Sequence, residues 1–268
     1  MPGRILLPAR WVFRGLFNLV FPDSCRVCSS RLQDVSRIPV CQTCLQSLKP
    51  LEADYWCVRC RAPHASPWSL VDGVCDVCRG DQESNTLHGF DTAYSFGSYE
   101  GPLRRMIQLF KYDRIHTLSA PLGRLLIAGL PSGEAFDYIV PVPLHWHRRW
   151  RRGFNQAELL ARVVARHTGG EISPALKRKK ATAPQAGLSD AQRRTNTEHA
   201  FAVAEKHRGA LAGKHVLLID DVLTTGATLS AASRVLRRAG ARRITVLTVA
   251  RADRRSAWSQ LPQTGSKT

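Results

Sequence analysis

Two stretches in the second half of the chain alternate apolar runs with polar punctuation in the manner of an α/β protein. Val216, Leu217, Leu218 and Ile219 form an unbroken apolar run, the composition of a strand buried on both faces of a parallel sheet. After a polar segment, residues 229–240 read as a helix closed by Gly240, and residues 244–250 as a second strand. The pattern predicts a β-loop-α-β unit. Upstream, residues 137–143 read as a strand ended by Pro141 and Pro143, residues 144–152 as a polar loop and residues 154–167 as a helix. Between these units, residues 176–201 carry polar and small side chains with no sustained apolar period, and read as a long mobile loop. At the other end, Trp11, Val12, Leu16, Phe17, Leu19 and Val20 follow Pro8 at the spacing of a short amphipathic helix. Docking on its own protein is the default for such a helix, ahead of lying on a membrane surface.

The chain has 268 residues, enough for a sizeable α/β core and a small extra module. Its apolar fraction of 44% and charged fraction of 22% are those of a folded protein, which excludes large-scale disorder. The charge is unusual: 39 basic against 21 acidic residues give +18. Residues 141–194 hold twelve basic and three acidic residues, so half of the excess is local. Such a field suits an anionic ligand, whether phosphates, pyrophosphate or nucleic acid, although a solvated basic face is the plain alternative. The apolar start at 5–20 is broken by Arg10 and Arg14, so no transmembrane span is expected, and it lacks the form of a signal peptide. A cytoplasmic protein is the expectation.

All eight cysteines fall in four Cys-x-x-Cys pairs, Cys25/Cys28, Cys41/Cys44, Cys57/Cys60 and Cys75/Cys78, separated by 12, 12 and 14 residues. Two such pairs place four thiolates around one tetrahedral ion, so four pairs predict two zinc sites. A disulfide framework fits poorly in a reducing compartment. With four cysteines per ion no coordination position is left for water, which makes both Zn2+ ions structural. Sequential pairing puts Cys25, Cys28, Cys41 and Cys44 on one ion and the rest on the other; crossed pairing is the alternative.

The apolar run at 216–219 leads into Asp220, Asp221, Val222, Leu223, Thr224, Thr225, Gly226, Ala227 and Thr228. A loop between such a strand and a helix offers backbone N–H groups and a helix amino end to an anion, and the three threonines add hydroxyls. Gly226 permits a close turn, and Asp220 and Asp221 stand where the hydroxyls of a ribose 5-phosphate would lie. This nine-residue pattern resembles the phosphoribosyl pyrophosphate (PRPP) motif of type I phosphoribosyltransferases.

More narrowly, residues 140–144, the run Arg152-Gly153-Phe154-Asn155-Gln156-Ala157, Thr182 with Gln185, Arg193 with Asn196, and the cysteine pairs resemble the ComF/GntX family over residues 16–251. The resemblance implies a type I phosphoribosyltransferase-like, mostly parallel sheet flanked by helices, preceded by a small double zinc-ribbon domain. It divides the chain into an amphipathic helix at 1–22, the double ribbon at 23–82, the catalytic domain at 83–253 and a disordered tail at 254–268. It implies PRPP bound with Mg2+ and transfer of the phosphoribosyl group to an unidentified, nucleobase-related acceptor.

Asp220 and Asp221 would then hold ribose or metal, and residues 224–228 the 5-phosphate. Arg148, Arg149 and Arg152 would grip pyrophosphate, a cluster equally suited to nucleic acid. Lys177, Arg178, Gln185, Arg193 and Asn196 would sit on a closing catalytic loop. Lys111, in the run Phe110-Lys111-Tyr112, would reach the active site or else remain a helix-surface lysine. Two other readings stand beside the enzyme: a non-catalytic single-stranded DNA-binding protein working with competence machinery, and a regulator that senses PRPP or nucleotides.

Overall fold

The computed structural model describes residues 24–32, 37–83, 89–144, 153–179 and 200–252. The chain divides into two compact units between Leu48 and Lys49. In the first unit the Cys25–Cys28 turn is closed by Ser29 N–H donating to the Cys25 carbonyl at 2.8 Å. Helix α1 (Gln42–Gln46) follows, capped by the Cys41 side chain, which accepts from Cys44 N–H.

The second unit opens with two small antiparallel hairpins, β1 (Tyr55–Trp56) with β2 (Pro63–His64) and β3 (Leu70–Val71) with β4 (Val74–Cys75), followed by helix α2 (Asp76–Glu83). Two-residue strands cannot hold themselves in water. They surround the buried sulfurs of Cys57, Cys60, Cys75 and Cys78, against which Ala62, Leu70 and Val74 pack.

The remaining elements follow in chain order: β5 (Thr92–Ser98), α3 (Gly101–Tyr112), α4 (Ser119–Ala128), β6 (Tyr138–Pro141), α5 (Gln156–Thr168), β7 (Glu171–Ile172), β8 (Leu176–Arg178), β9 (Phe201–Val203), β10 (His215–Leu223), α6 (Ala227–Arg238) and β11 (Arg243–Arg251). Five strands form one sheet in the order β5-β11-β10-β6-β7, and every neighbouring pair is parallel. Residues 216–219 are fully buried at its centre, as their apolar run predicts. Val216 and Leu218 join a core cluster with Leu229 and Leu236 of α6. Leu217 and Ile219 alternate with them and turn to the opposite face, where α5 packs on β10 and α4 packs on α5. Gly123 permits that helix contact, since a Cβ there would meet Val163 at 2.5 Å. The edge strand β5 is covered: Leu51 N–H donates to the Phe96 carbonyl at 2.6 Å and Ala93 N–H to the Arg59 carbonyl at 3.1 Å.

Two expectations change. Strand β10 outruns its apolar segment and takes in Asp220 and Asp221. The stretch 176–201 is not loop throughout, because its ends pair antiparallel, with Leu176 opposite Val203 and Arg178 opposite Phe201. Buried Leu176, Phe201 and Val203 flank exposed Lys177 there. That period-two pattern spans three residues a side, too short to register along the chain. The amphipathic segment at 8–20 and the tail lie outside the described residues, and among the described residues no helix is long and apolar enough to cross a membrane.

Candidate functional site

Strand order reverses between β10 and β6. The chain leaves β6 through α5 toward β7 and leaves β10 through α6 toward β11, and parallel sheets bind ligands in the crevice beyond the strand ends at such a point. A cavity of about 200 Å3 lies there. Asp220, Asp221 and Val222 line it from β10, Thr224, Gly226 and Thr228 from the loop and the start of α6, and Val142 to Leu144 from the end of β6. Lys111 and Tyr112 close it from α3, and Arg178 from β8.

Gly226 sits at φ +77° as the cap of α6, in the left-handed region that side chains with a Cβ avoid. Thr225 Oγ1 accepts from Ala227 N–H at 3.3 Å. The loop thus brings Thr224, Gly226 and Thr228 to the cavity wall, at the amino end of a twelve-residue helix whose dipole favours anions.

Lys111 Nζ lies 2.7 Å from Asp221 Oδ1, with both side chains largely buried. Asp221 N–H donates to Asp220 Oδ1 at 2.9 Å. Burial, reinforced by the neighbouring Asp221 charge, pushes the Asp220 carboxyl up to about 7, against the opposing pull of Lys111. Burial alone would depress the Lys111 ammonium, but the charge and hydrogen bond of Asp221 outweigh it and hold the group above its ordinary value. The cavity therefore carries a cation held on Asp221, with the Asp220 carboxyl beside it. Asn155 and Gln156 set this geometry: Asn155 caps α5 and donates to the Val142 carbonyl at 3.2 Å, and buried Gln156 donates to the Lys111 carbonyl at 3.4 Å. Nothing in the sequence marked their part, or that of Tyr112, beyond their place in the quoted runs.

Of the other residues singled out in the sequence, Arg178 faces the cavity with its guanidinium 5.2 Å from the Phe201 ring. Lys177, one position along the strand, is exposed and lines no part of it. Ala227 and Thr225 support the loop rather than the cavity wall. Arg148, Arg149, Arg152, Gln185, Arg193 and Asn196 lie outside the described residues.

A family model described as Phosphoribosyl transferase domain matches residues 151–266. Competence protein F of Haemophilus influenzae is 32% identical over 239 residues, covering 87% of this chain and 98% of that protein. The chain belongs to the competence protein F family. DNA utilization protein YhgH of Salmonella typhimurium is 32% identical over 235 residues, covering 85% of this chain and 96% of its own length. Competence protein ComFC of Streptococcus pneumoniae is 27% identical over 154 residues, covering 58% of this chain and 66% of that protein. This family member combines a phosphoribosyltransferase-type sheet with two four-cysteine clusters at its amino-terminal side.

The clusters form by sequential pairing: Cys25, Cys28, Cys41 and Cys44 in one, Cys57, Cys60, Cys75 and Cys78 in the other, with all sulfurs of a cluster within 4.8 Å of one another. A tetrahedral zinc with bonds of about 2.3 Å requires sulfur separations of about 3.8 Å. Cys25–Cys44 and Cys28–Cys41 stand 3.9 and 3.6 Å apart, and Cys57–Cys78 and Cys60–Cys75 stand 3.8 and 3.7 Å apart. Backbone N–H groups of Cys41 and Cys75 point at Cys25 and Cys57 Sγ at 3.3 and 3.5 Å. The donor set therefore fits structural zinc. Arg251, at the end of β11, donates to the Cys60 carbonyl at 2.5 Å and to its sulfur at 3.3 Å, tying the second cluster to the main sheet.

Proposed function

We propose that this protein binds PRPP with Mg2+ and transfers its phosphoribosyl group to a nucleobase-related acceptor, acting in the cytoplasm in the service of DNA uptake or nucleotide metabolism. The observation that carries the reading is one cavity lined both by Thr224, Gly226 and Thr228 of the loop and by Asp220, Asp221 and Lys111. In this reading the loop and the α6 amino end hold the 5-phosphate. Asp220 and Asp221 accept from the ribose hydroxyls. Arg178 and Lys111 offer positive charge on the side where pyrophosphate departs, joined by Arg148, Arg149 and Arg152 from the basic run that follows β6 in the sequence. Asp220 and Asp221 would also hold Mg2+, whose charge eases loss of pyrophosphate. The reaction breaks the C1–O bond to pyrophosphate and forms a bond from C1 to the acceptor, so positioning and charge complementarity suffice and no protein nucleophile is required.

Relatives named for competence and DNA utilization, together with the net charge of +18, favour a second reading: a non-catalytic protein that holds single-stranded DNA, or a sensor of PRPP. Calorimetric titration of PRPP and Mg2+ into the zinc-loaded protein, beside an Asp220→Asn/Asp221→Asn variant and with pyrophosphate release followed, separates them. Binding with release supports the transferase and binding without release the sensor; absence of binding to either protein overturns the PRPP site.

A further inference from the structure

A second cavity, of about 300 Å3, lies on the far edge of the sheet and shares no residue with the first. Its walls are Trp56 and Arg61 of the β1–β2 hairpin, Tyr94 and Phe96 of β5, and the turn after α4 at Gly129 and Leu130. The walls are braced. The Leu51–Phe96 and Ala93–Arg59 backbone bonds clamp the hairpin segment to β5, and the turn at Gly129 seats closely on β5, where a Cβ would stand 3.2 Å from the Phe96 backbone.

Arg61 is the chemical centre of this space. The hairpin fixes its backbone, with φ at +51° and its N–H donating to the Cys57 carbonyl at 2.9 Å. Its guanidinium lies 5.9 Å from the Trp56 ring centroid and 5.7 Å from that of Tyr94. Aromatic faces attract the cation but accept nothing from the N–H groups at its planar edge. Among the described residues, no carboxylate or carbonyl accepts from that edge, and none of the residues lining the cavity is acidic. Burial, aided by the nearby Glu134 charge, holds the Tyr94 hydroxyl above its ordinary value, so it stays a neutral donor. Flat apolar walls, one positive charge and spare fork-shaped donors are the complement of a planar anion, because a guanidinium pairs two N–H groups with a carboxylate. Ligand cavities start at about 300 Å3, which suits a molecule of one or two rings.

We infer that this cavity is a second ligand site, independent of the phosphate site, that takes a small planar aromatic carboxylate stacked against Trp56 and Tyr94 with its carboxylate on Arg61. The test is saturation-transfer NMR and calorimetry on the zinc-loaded protein, with benzoate and indole-3-carboxylate as probes and benzamide as the neutral control. Binding of a carboxylate probe is expected to fall at least tenfold in Arg61→Gln and Trp56→Leu and to be weaker for benzamide. It should be intact in Asp220→Asn. Arg61→Lys keeps the charge without the fork and should bind at an intermediate level, and unchanged zinc content in each variant confirms that the hairpin is folded. Equal binding by Arg61→Gln, loss in Asp220→Asn, or no binding of either carboxylate to the unmodified protein would overturn the proposal.

Discussion

Lys111 holds a consequential position, because among the described residues it is the cation paired with Asp221 inside the sheet crevice. Replacing it by Met removes the cation hydrogen-bonded to Asp221 and leaves only Arg178 to offset the two carboxylates, and breaking a buried pair from one side costs about 3 kcal/mol. Urea unfolding of Lys111→Met at pH 7.5 should show that loss, partly relieved at pH 5.5 where Asp220 takes up a proton. The Asp220 shift has its own sign. Its folded value of about 7 lies above the ordinary 3.8, so the folded state holds the proton more tightly. The stability this contributes is present in full below about pH 4, declines as pH rises through 7 and is flat beyond. Asp220→Asn should flatten that decline, on the order of 2 kcal/mol, in unfolding curves taken from pH 5 to pH 8 without ligand. Gly226→Ala forces a Cβ into the left-handed region and should cost about 1–2 kcal/mol. It should also weaken binding of inorganic phosphate, read by calorimetry.

Elements differ in how far the sequence betrays them. Strand β10 and helix α6 were legible because a buried parallel strand is apolar throughout and a helix repeats its apolar positions over several turns. The cysteine clusters were legible because metal geometry fixes ligand spacing. The β8–β9 ribbon was not, since its three-residue strands are joined only by long-range pairing, and that pairing is what places Arg178 in the cavity while Lys177 points away. Lys111 depended on resemblance for its notice, because a helix-end lysine carries no local signal of the aspartate it meets on a distant strand. The small hairpins β1–β4 bury little beyond their sulfurs and His64, so a metal held by those sulfurs would supply much of their stability. Purified protein should carry two zinc ions per chain by elemental analysis, and Cys57→Ser should carry one. Arg251→Met removes the two donors to Cys60 and should speed release of one of the two ions to a chelator several-fold.

At the scale of the whole molecule the question is whether one field of +18 serves the proposed phosphate site, a nucleic acid of the kind that relatives' names suggest, or both. Half of that excess lies in residues 141–194, the stretch that contains the arginine run following β6 in the sequence and the strand β8 that brings Arg178 to the cavity. A polyanion bound mainly by such a field releases counterions, so its affinity falls as a power of salt concentration, whereas a small ligand also fixed by directed hydrogen bonds keeps a salt-independent share. Single-stranded oligonucleotide affinity, followed by fluorescence anisotropy between 50 and 200 mM salt, should therefore drop at least tenfold if the basic stretch holds DNA, and should be indifferent to Asp220→Asn/Asp221→Asn. PRPP affinity should depend on salt less steeply and vanish in that variant. If oligonucleotide binding were flat with salt, the positive field would be serving only the small phosphate ligand. If PRPP displaced the oligonucleotide, the two anions would share the basic loop, and the sheet crevice would be the place where nucleic acid and ribose phosphate compete.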